Sequence, residues 1–153
     1  MIATLPLTEL LDRGDIQLHF QAGSVAEAIP LLLRTALMRR VHDASVVSEI
    51  VDAAVKREQE ISTMCGAVSL PHARSSKLDN FVLALGANAE GTIAGRRDPR
   101  LIFAFVSPEG KREQHLQLLA SLARLSQNPK VVDQIAAASG ADQVIEALRS
   151  AGV

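Results

Sequence analysis

Two short segments with almost no polar residue constrain the fold more than anything else in the chain: Asn80 to Leu85 (NFVLAL) and Leu101 to Val106 (LIFAFV). A strand with one face in water alternates apolar and polar residues. A strand that is apolar at nearly every position needs cover on both faces. The pair therefore predicts buried strands of a sheet with helices packed on it. Those helices are legible on either side. Ser24 precedes AEAIPLLLRTALMRR and has Glu27 three residues on, a capping box. Pro30 falls in the second turn of that helix, where it is expected to kink it. Asp43 caps a second helix, ASVVSEIVDAAVKREQ, in which Val46, Val47, Ile50, Val51 and Ala54 have helical spacing. Beyond the second apolar strand come EQHLQLLASLARLSQ, with a leucine stripe at 116, 119, 122 and 125, then PKVVDQIAAA, then ADQVIEALRSA. Pro129 stands at a favoured helix start. Ile16 to Phe20 (IQLHF) alternates and reads as a further strand. GAVSLPHAR is short, Gly-led and interrupted by Pro71, and the polar segment GANAEGTIAGRRDPR reads as a loop between the two apolar strands. Helices at both ends around a few strands predict an α/β layered domain.

No linker, repeat or low-complexity tract divides the 153 residues, so residues 1–153 are expected to form one domain. The net charge of -1 gives no whole-protein attraction to nucleic acid or to an acidic membrane surface. Aromatic residues make up 3%, with no Trp and no Tyr, which argues against a base-stacking platform. The apolar runs fall far short of the roughly 20 residues a bilayer span needs. MIATLPLTELLDRGD has acidic residues and no cationic start, unlike a signal peptide. The single cysteine, Cys65, cannot form an internal disulfide or a cysteine metal cluster, and reads as a small buried hydrophobe. The expectation is a cytoplasmic protein, with no nucleic acid, membrane insertion, metal or organic cofactor.

Histidine is the side chain that can act as a neutral nucleophile near pH 7. There are four: His19, His42, His72 and His115, each in a different segment and none at metal-ligand spacing. His72 follows Pro71 where the chain leaves a short apolar stretch. On that local context alone it reads first as an ordinary turn histidine, and only second as a rigidly mounted reactive imidazole. His115 lies early in a helix at the edge of the leucine stripe, half in water. His19 is expected to face solvent and His42 to end a helix, where a cation suits the dipole. Arg57 and Glu58 close a helix, with Ser62 and Thr63 just after them. A guanidinium and hydroxyls can bind phosphate there, although a charged helix end with a capping pair is the commoner arrangement. Arg96, Arg97 and Arg100 form a basic loop that reads as solvated surface.

Taken in order, three of these segments resemble the IIA domains of the fructose/mannitol class of the phosphotransferase system, which includes the nitrogen-regulatory IIA proteins. The first is RE-x-x-x-ST, Arg57 to Thr63. The second is GAVSLPHAR, similar to the family's G-[IV]-A-[IL]-PH-G. The third is LIFAFVSPEGKREQHLQLLASLARL, similar to its strand, turn and HL-x-x-L helix. The resemblance covers about residues 5 to 150 and implies a single domain with a mixed β-sheet flanked by helices on both faces. It implies that His72 accepts a phosphoryl group from the phosphocarrier protein HPr, with His115, Arg57 and Thr63 in the same site. The chain is then a protein-histidine phosphoryl carrier that needs no cofactor. A regulatory IIA controlling a partner protein ranks first, a sugar-specific IIA passing phosphate to a IIB component second, and a non-catalytic IIA-like binding module third. Two departures stand out. STMCG replaces a longer glycine-rich loop, and Ala73 follows the histidine where the family favours Gly. Losing a glycine there is expected to reshape the phosphate pocket.

Overall fold

A computed structural model describes residues 6–153. The elements run α1 (Leu7–Leu10), β1 (Leu11–Leu18), α2 (Val25–Met38), α3 (Ala44–Glu60), β2 (Met64–Cys65), β3 (Val68–Ser69), β4 (His72–Ser75), β5 (Val82–Ala87), β6 (Leu101–Pro108), α4 (Arg112–Ser126), α5 (Pro129–Ala136) and α6 (Ala141–Ser150).

The two apolar segments are β5 and β6, antiparallel neighbours at the centre of one six-stranded mixed sheet. Every residue of both is buried, and the reason is visible in the alternation. Leu101, Phe103 and Phe105 point into one core with α4, α5 and α6. Ile102, Ala104 and Val106 point into a second core with α2 and α3. Both faces of the sheet are thus dry, and helices cover each. At Gly86 a Cβ would stand 2.9 Å from the Phe20 ring, so glycine lets that ring lie on the sheet.

The helix starts follow their caps. The Ser24 side chain accepts from the Glu27 N–H, and Asp43 from Ser45 and Val46. Pro30 sits inside α2, which runs on as one helix to Met38. The first strand differs from its sequence reading. It begins at Leu11, pairs in parallel with β5, and ends at Leu18. His19 then takes a left-handed φ of 54° and turns Phe20 into the core.

GAVSLPHAR proves to be one strand in two pieces, both running parallel along β6: β3 against Leu101 and Ile102, β4 against Phe105 to Pro108. Pro71, which has no N–H to give a ladder, lies in the gap. STMCG forms the short strand β2, which returns through a two-residue loop led by Gly66 at φ 62°, the glycine-first pattern of tight hairpins. Ala73 lies in ordinary extended strand and packs into the α2/α3 core. No positive φ calls for glycine there. Among the described residues no helix is long and apolar enough to cross a membrane.

Candidate functional site

The interruption at Pro71 sets the geometry of the site. It frees the backbone of Leu70 from the sheet, and both polar groups of that residue are used locally. The Leu70 N–H donates to Thr63 Oγ1 at 3.2 Å, and the Leu70 carbonyl accepts from His72 Nδ1 at 2.8 Å. A carbonyl can only accept, so the proton of a neutral His72 is on Nδ1. Nε2 then carries the lone pair. Among the described residues it has no hydrogen-bond partner, and the ring lines an open cleft. The ring is clamped on one side by Phe105, stacked at 4.9 Å between centroids with 12° between planes.

His115, from the first turn of α4, stands 5.3 Å from the His72 ring. It is buried, not half in water, because its neighbours on the helix are buried at Leu118, Leu122 and Leu125. Its Nδ1 lies 2.7 Å from Ser107 Oγ on β6. Both imidazoles are 6% exposed. Burial is the main cause that lowers the pKa of each. For His72 the Leu70 hydrogen bond works against it, Arg57 adds to it, and Glu58 weakly opposes. For His115 the neighbouring His72, Arg74 and Arg57 add to burial and bring it to about 4. Both rings are neutral near pH 7.

The two rings form the wall of an open cleft of about 390 Å³ whose other lining residues are Arg57, Ala73, Arg74, Arg112, Leu116 and Leu119. Arg57 comes from the last turn of α3, beside β4, which pairs with β6. Among the described residues, three guanidinium groups and no carboxylate line the cleft. Neither Arg57 nor Arg112 is in an ion pair among the described residues. Such a cleft is a site for an oxyanion. Among the described residues no group of three His, Cys, Asp or Glu is placed to hold a metal.

Of the four residues proposed from sequence, His72, His115 and Arg57 therefore share one cleft. Thr63 does not line it. Its hydroxyl donates to the buried Glu58 carboxylate at 2.6 Å and accepts from Leu70, which uses its single proton. Thr63 and Glu58 brace the segment that holds His72. Arg74 and Arg112 were not singled out from sequence. Arg74 had a signal, since residues two apart on a strand share a face and it follows His72 by two. Cys65 is half-buried, with its sulfur 3.2 Å from Ser126 Oγ. His19 and His42 are exposed, His42 beyond the end of α2. Arg100 is not solvated surface: it is paired with Asp133 and its side chain is 15% exposed.

Residues 9–151 match the family model described as "Phosphoenolpyruvate-dependent sugar phosphotransferase system, EIIA 2". The fructose-specific EIIABC component of Bacillus subtilis is 26% identical over 148 residues, 93% of this chain. The chain spans 23% of that relative's length. The crystal structure of nitrogen regulatory protein IIA-Ntr from Neisseria meningitidis superposes with a TM-score of 0.76 at 24% identity, covering 93% of this chain and 98% of that one. An Escherichia coli complex of enzyme IIA mannitol with phosphorylated enzyme IIB mannitol gives a TM-score of 0.67 at 22% identity, covering 92% of this chain and 99% of the matched one.

Proposed function

Because the chain belongs to the EIIA 2 family of the phosphoenolpyruvate-dependent sugar phosphotransferase system, and is thus a phosphoryl-carrier component of it, we propose that the carrying atom is Nε2 of His72. The observation that carries this reading is the Leu70 carbonyl on Nδ1. It fixes the tautomer and leaves the second nitrogen with its lone pair, on a ring that lines a cleft of arginines.

The transfer balances without a base. Nε2 of His72 attacks the phosphorus of the donor's phosphohistidine in line, the new N–P bond forms, and the donor's N–P bond breaks. The donor ring, protonated on its other nitrogen, gives up its positive charge and leaves as neutral imidazole. The Nδ1 proton of His72 stays in place, held by the Leu70 carbonyl while the ring gains positive character. Such transfers need positioning and charge stabilisation on the peripheral oxygens. Arg57 offers a guanidinium. His115 offers an N–H if its proton is on Nε2, and the Ser107 hydroxyl favours that tautomer. Ser107 is fully buried and has no other acceptor for its proton among the described residues, so it donates to His115 Nδ1.

The donor is an HPr-type phosphocarrier protein. The receiver is a regulated partner protein, in keeping with the likeness to IIA-Ntr. Transfer to a IIB component in fructose- or mannitol-type uptake is the second reading, favoured by the similarity to the fructose-specific relative. The site of action is the cytoplasm. Incubation with phosphoenolpyruvate, enzyme I and HPr, followed by mass spectrometry, is expected to show one acid-labile phosphate on the wild type and none on His72→Ala. Equal labelling of the variant would refute the assignment.

A further inference from the structure

Once Thr63 is withdrawn to brace Leu70, the transferred group lacks one of its expected donors, and the cleft contains a cation no role has yet been given. Arg74 lies two residues after His72 on β4, so both side chains leave the same face of the strand. Its Nη2 donates to the Glu109 backbone carbonyl at 2.6 Å. That contact fixes the guanidinium without neutralising it, because a carbonyl supplies a dipole and not a counter-charge. No carboxylate among the lining residues does so either. The guanidinium is close enough to His115 to oppose its protonation, which places its charge beside the second imidazole of the site. A moored, uncompensated cation at the rim of two neutral imidazoles is complete only when an anion arrives.

We propose that Arg74 binds the phosphoryl group on His72, favouring its dianionic form together with Arg57. This rests on the reading of His72 as the carrier. Arg74 is the better placed of the two additional arginines because its head is anchored, whereas the Arg112 head has no hydrogen bond among the described residues. An anchored fork loses less freedom when it closes on phosphate.

The test uses the full chain and two routes of phosphorylation. Phosphoramidate phosphorylates imidazole directly: its P–N bond breaks, ammonia leaves, and an imidazole N–P bond forms, with no protein donor. Enzyme I and HPr supply the second route. Wild type, Arg74→Gln, Arg74→Lys and, as an exposed control on α6, Arg149→Gln are compared by 31P NMR titration of the phosphohistidine and by the equilibrium distribution of phosphate with HPr. Arg74 is exposed, so its variants are expected to fold, and an unchanged 1H–15N spectrum away from the cleft checks this. R74Q is expected to raise the second ionisation of the phosphoryl group by about half to one pH unit, a threefold to tenfold weaker preference for the dianion. The distribution should shift toward HPr by a similar factor. R74K should fall between, and R149Q should match wild type. A titration of R74Q that superimposes on wild type, or an equal shift in R149Q, overturns the proposal. Labelling by phosphoramidate but not by HPr would remove only the donor assignment and leave the Arg74 comparison decisive. No labelling of His72 by either route would overturn the carrier assignment and the role of Arg74 together.

Discussion

Thr63 is where the structure and the family motif give different expectations, and one substitution separates them. Thr63→Val keeps the shape and removes the hydroxyl. Two hydrogen bonds go with it: the donation to the buried Glu58 carboxylate at 2.6 Å and the acceptance from the Leu70 N–H at 3.2 Å. A bond to a charged group contributes about 1.5–3 kcal/mol and a neutral one about 1. Thr63 is half-buried, so the lower part of that range applies, about 2–3 kcal/mol in all. For a domain of this size, that corresponds to roughly 5–10 °C in melting temperature. Thr63→Ser retains the hydroxyl and should lose less than half as much. Urea unfolding of the three proteins measures the stability. Long-range 1H–15N spectra of His72 measure the consequence at the site: in T63V, loosening of Leu70 should blur the Nδ1–H tautomer that wild type and T63S hold. Phosphoryl acceptance should fall only in proportion to that blurring. If T63V were as stable as wild type and kept the tautomer, yet accepted phosphate far more slowly, the hydroxyl would be acting on the phosphoryl group. Thr63 would then be a phosphoryl-binding residue and not a brace for Leu70.

The remaining predictions concern the walls of the cleft. His115 has its pKa lowered in the fold to about 4, so between about pH 6.5 and 4 the unfolded chain binds the proton and the folded chain does not. Stability from this residue is therefore intact above pH 6.5, lost as pH falls through that window, and constant below it. The loss has a ceiling of about 3 kcal/mol. His115→Gln should flatten the acid limb of a stability profile measured by denaturant titration from pH 7 to 4, and an unchanged limb would show that the imidazole is protonated in the folded protein. Phe105 is fully buried and stacked on His72. Phe105→Ala should cost about 3–5 kcal/mol, while Phe105→Leu should stay folded, cost about 1 kcal/mol and slow phosphoryl acceptance by freeing the ring. Wild-type acceptance rates in F105L would deny the clamp any role.

The layered fold was legible because β5 and β6 are apolar at successive positions, which only a sheet buried on both faces tolerates. The stripe on α4 was read less well. Leucines at 116, 119, 122 and 125 recur every third residue, and a helix turns every 3.6, so such a row drifts around the surface. Leu116 ends 54% exposed, and the buried row passes through His115, Leu118, Leu122 and Leu125. A histidine in that row was masked by its polarity. Motif order placed Arg57, Thr63 and His72 in one neighbourhood. It carried no information on which hydroxyl would be spent on a backbone N–H, because that depends on Pro71 breaking the strand and turning Leu70 toward Thr63. The same break explains why STMCG can be short: it needs only to fold back as β2 on β3. Ala73, although it lines the cleft, is tolerated because it lies in ordinary extended strand with no positive φ that calls for glycine.

A magnitude decides what the arginines of the cleft are for. Arg57 and Arg74 both disfavour protonation of the imidazoles, and one use of that is to keep His72 nucleophilic. An ordinary histidine with a pKa of about 6.5 is already about three-quarters neutral at pH 7, so removing the remaining proton can raise the reactive fraction by no more than about 1.3-fold. A charge-assisted contact to a developing phosphoryl dianion contributes severalfold or more. The cations therefore matter far more on the product side, where they offset the dianion that His72 must hold until the next protein takes it. On this account, lowering the pH from 7 to 6 should slow phosphoryl acceptance by wild type less than it would slow an ordinary histidine, since burial and Arg57 hold the His72 pKa below its usual value. It should slow a variant lacking the Arg57 charge more, as its His72 titrates closer to the ordinary value. Rates for wild type and Arg57→Gln that fell in parallel over that interval would mean that Arg57 does not influence His72 protonation, and that burial alone sets it.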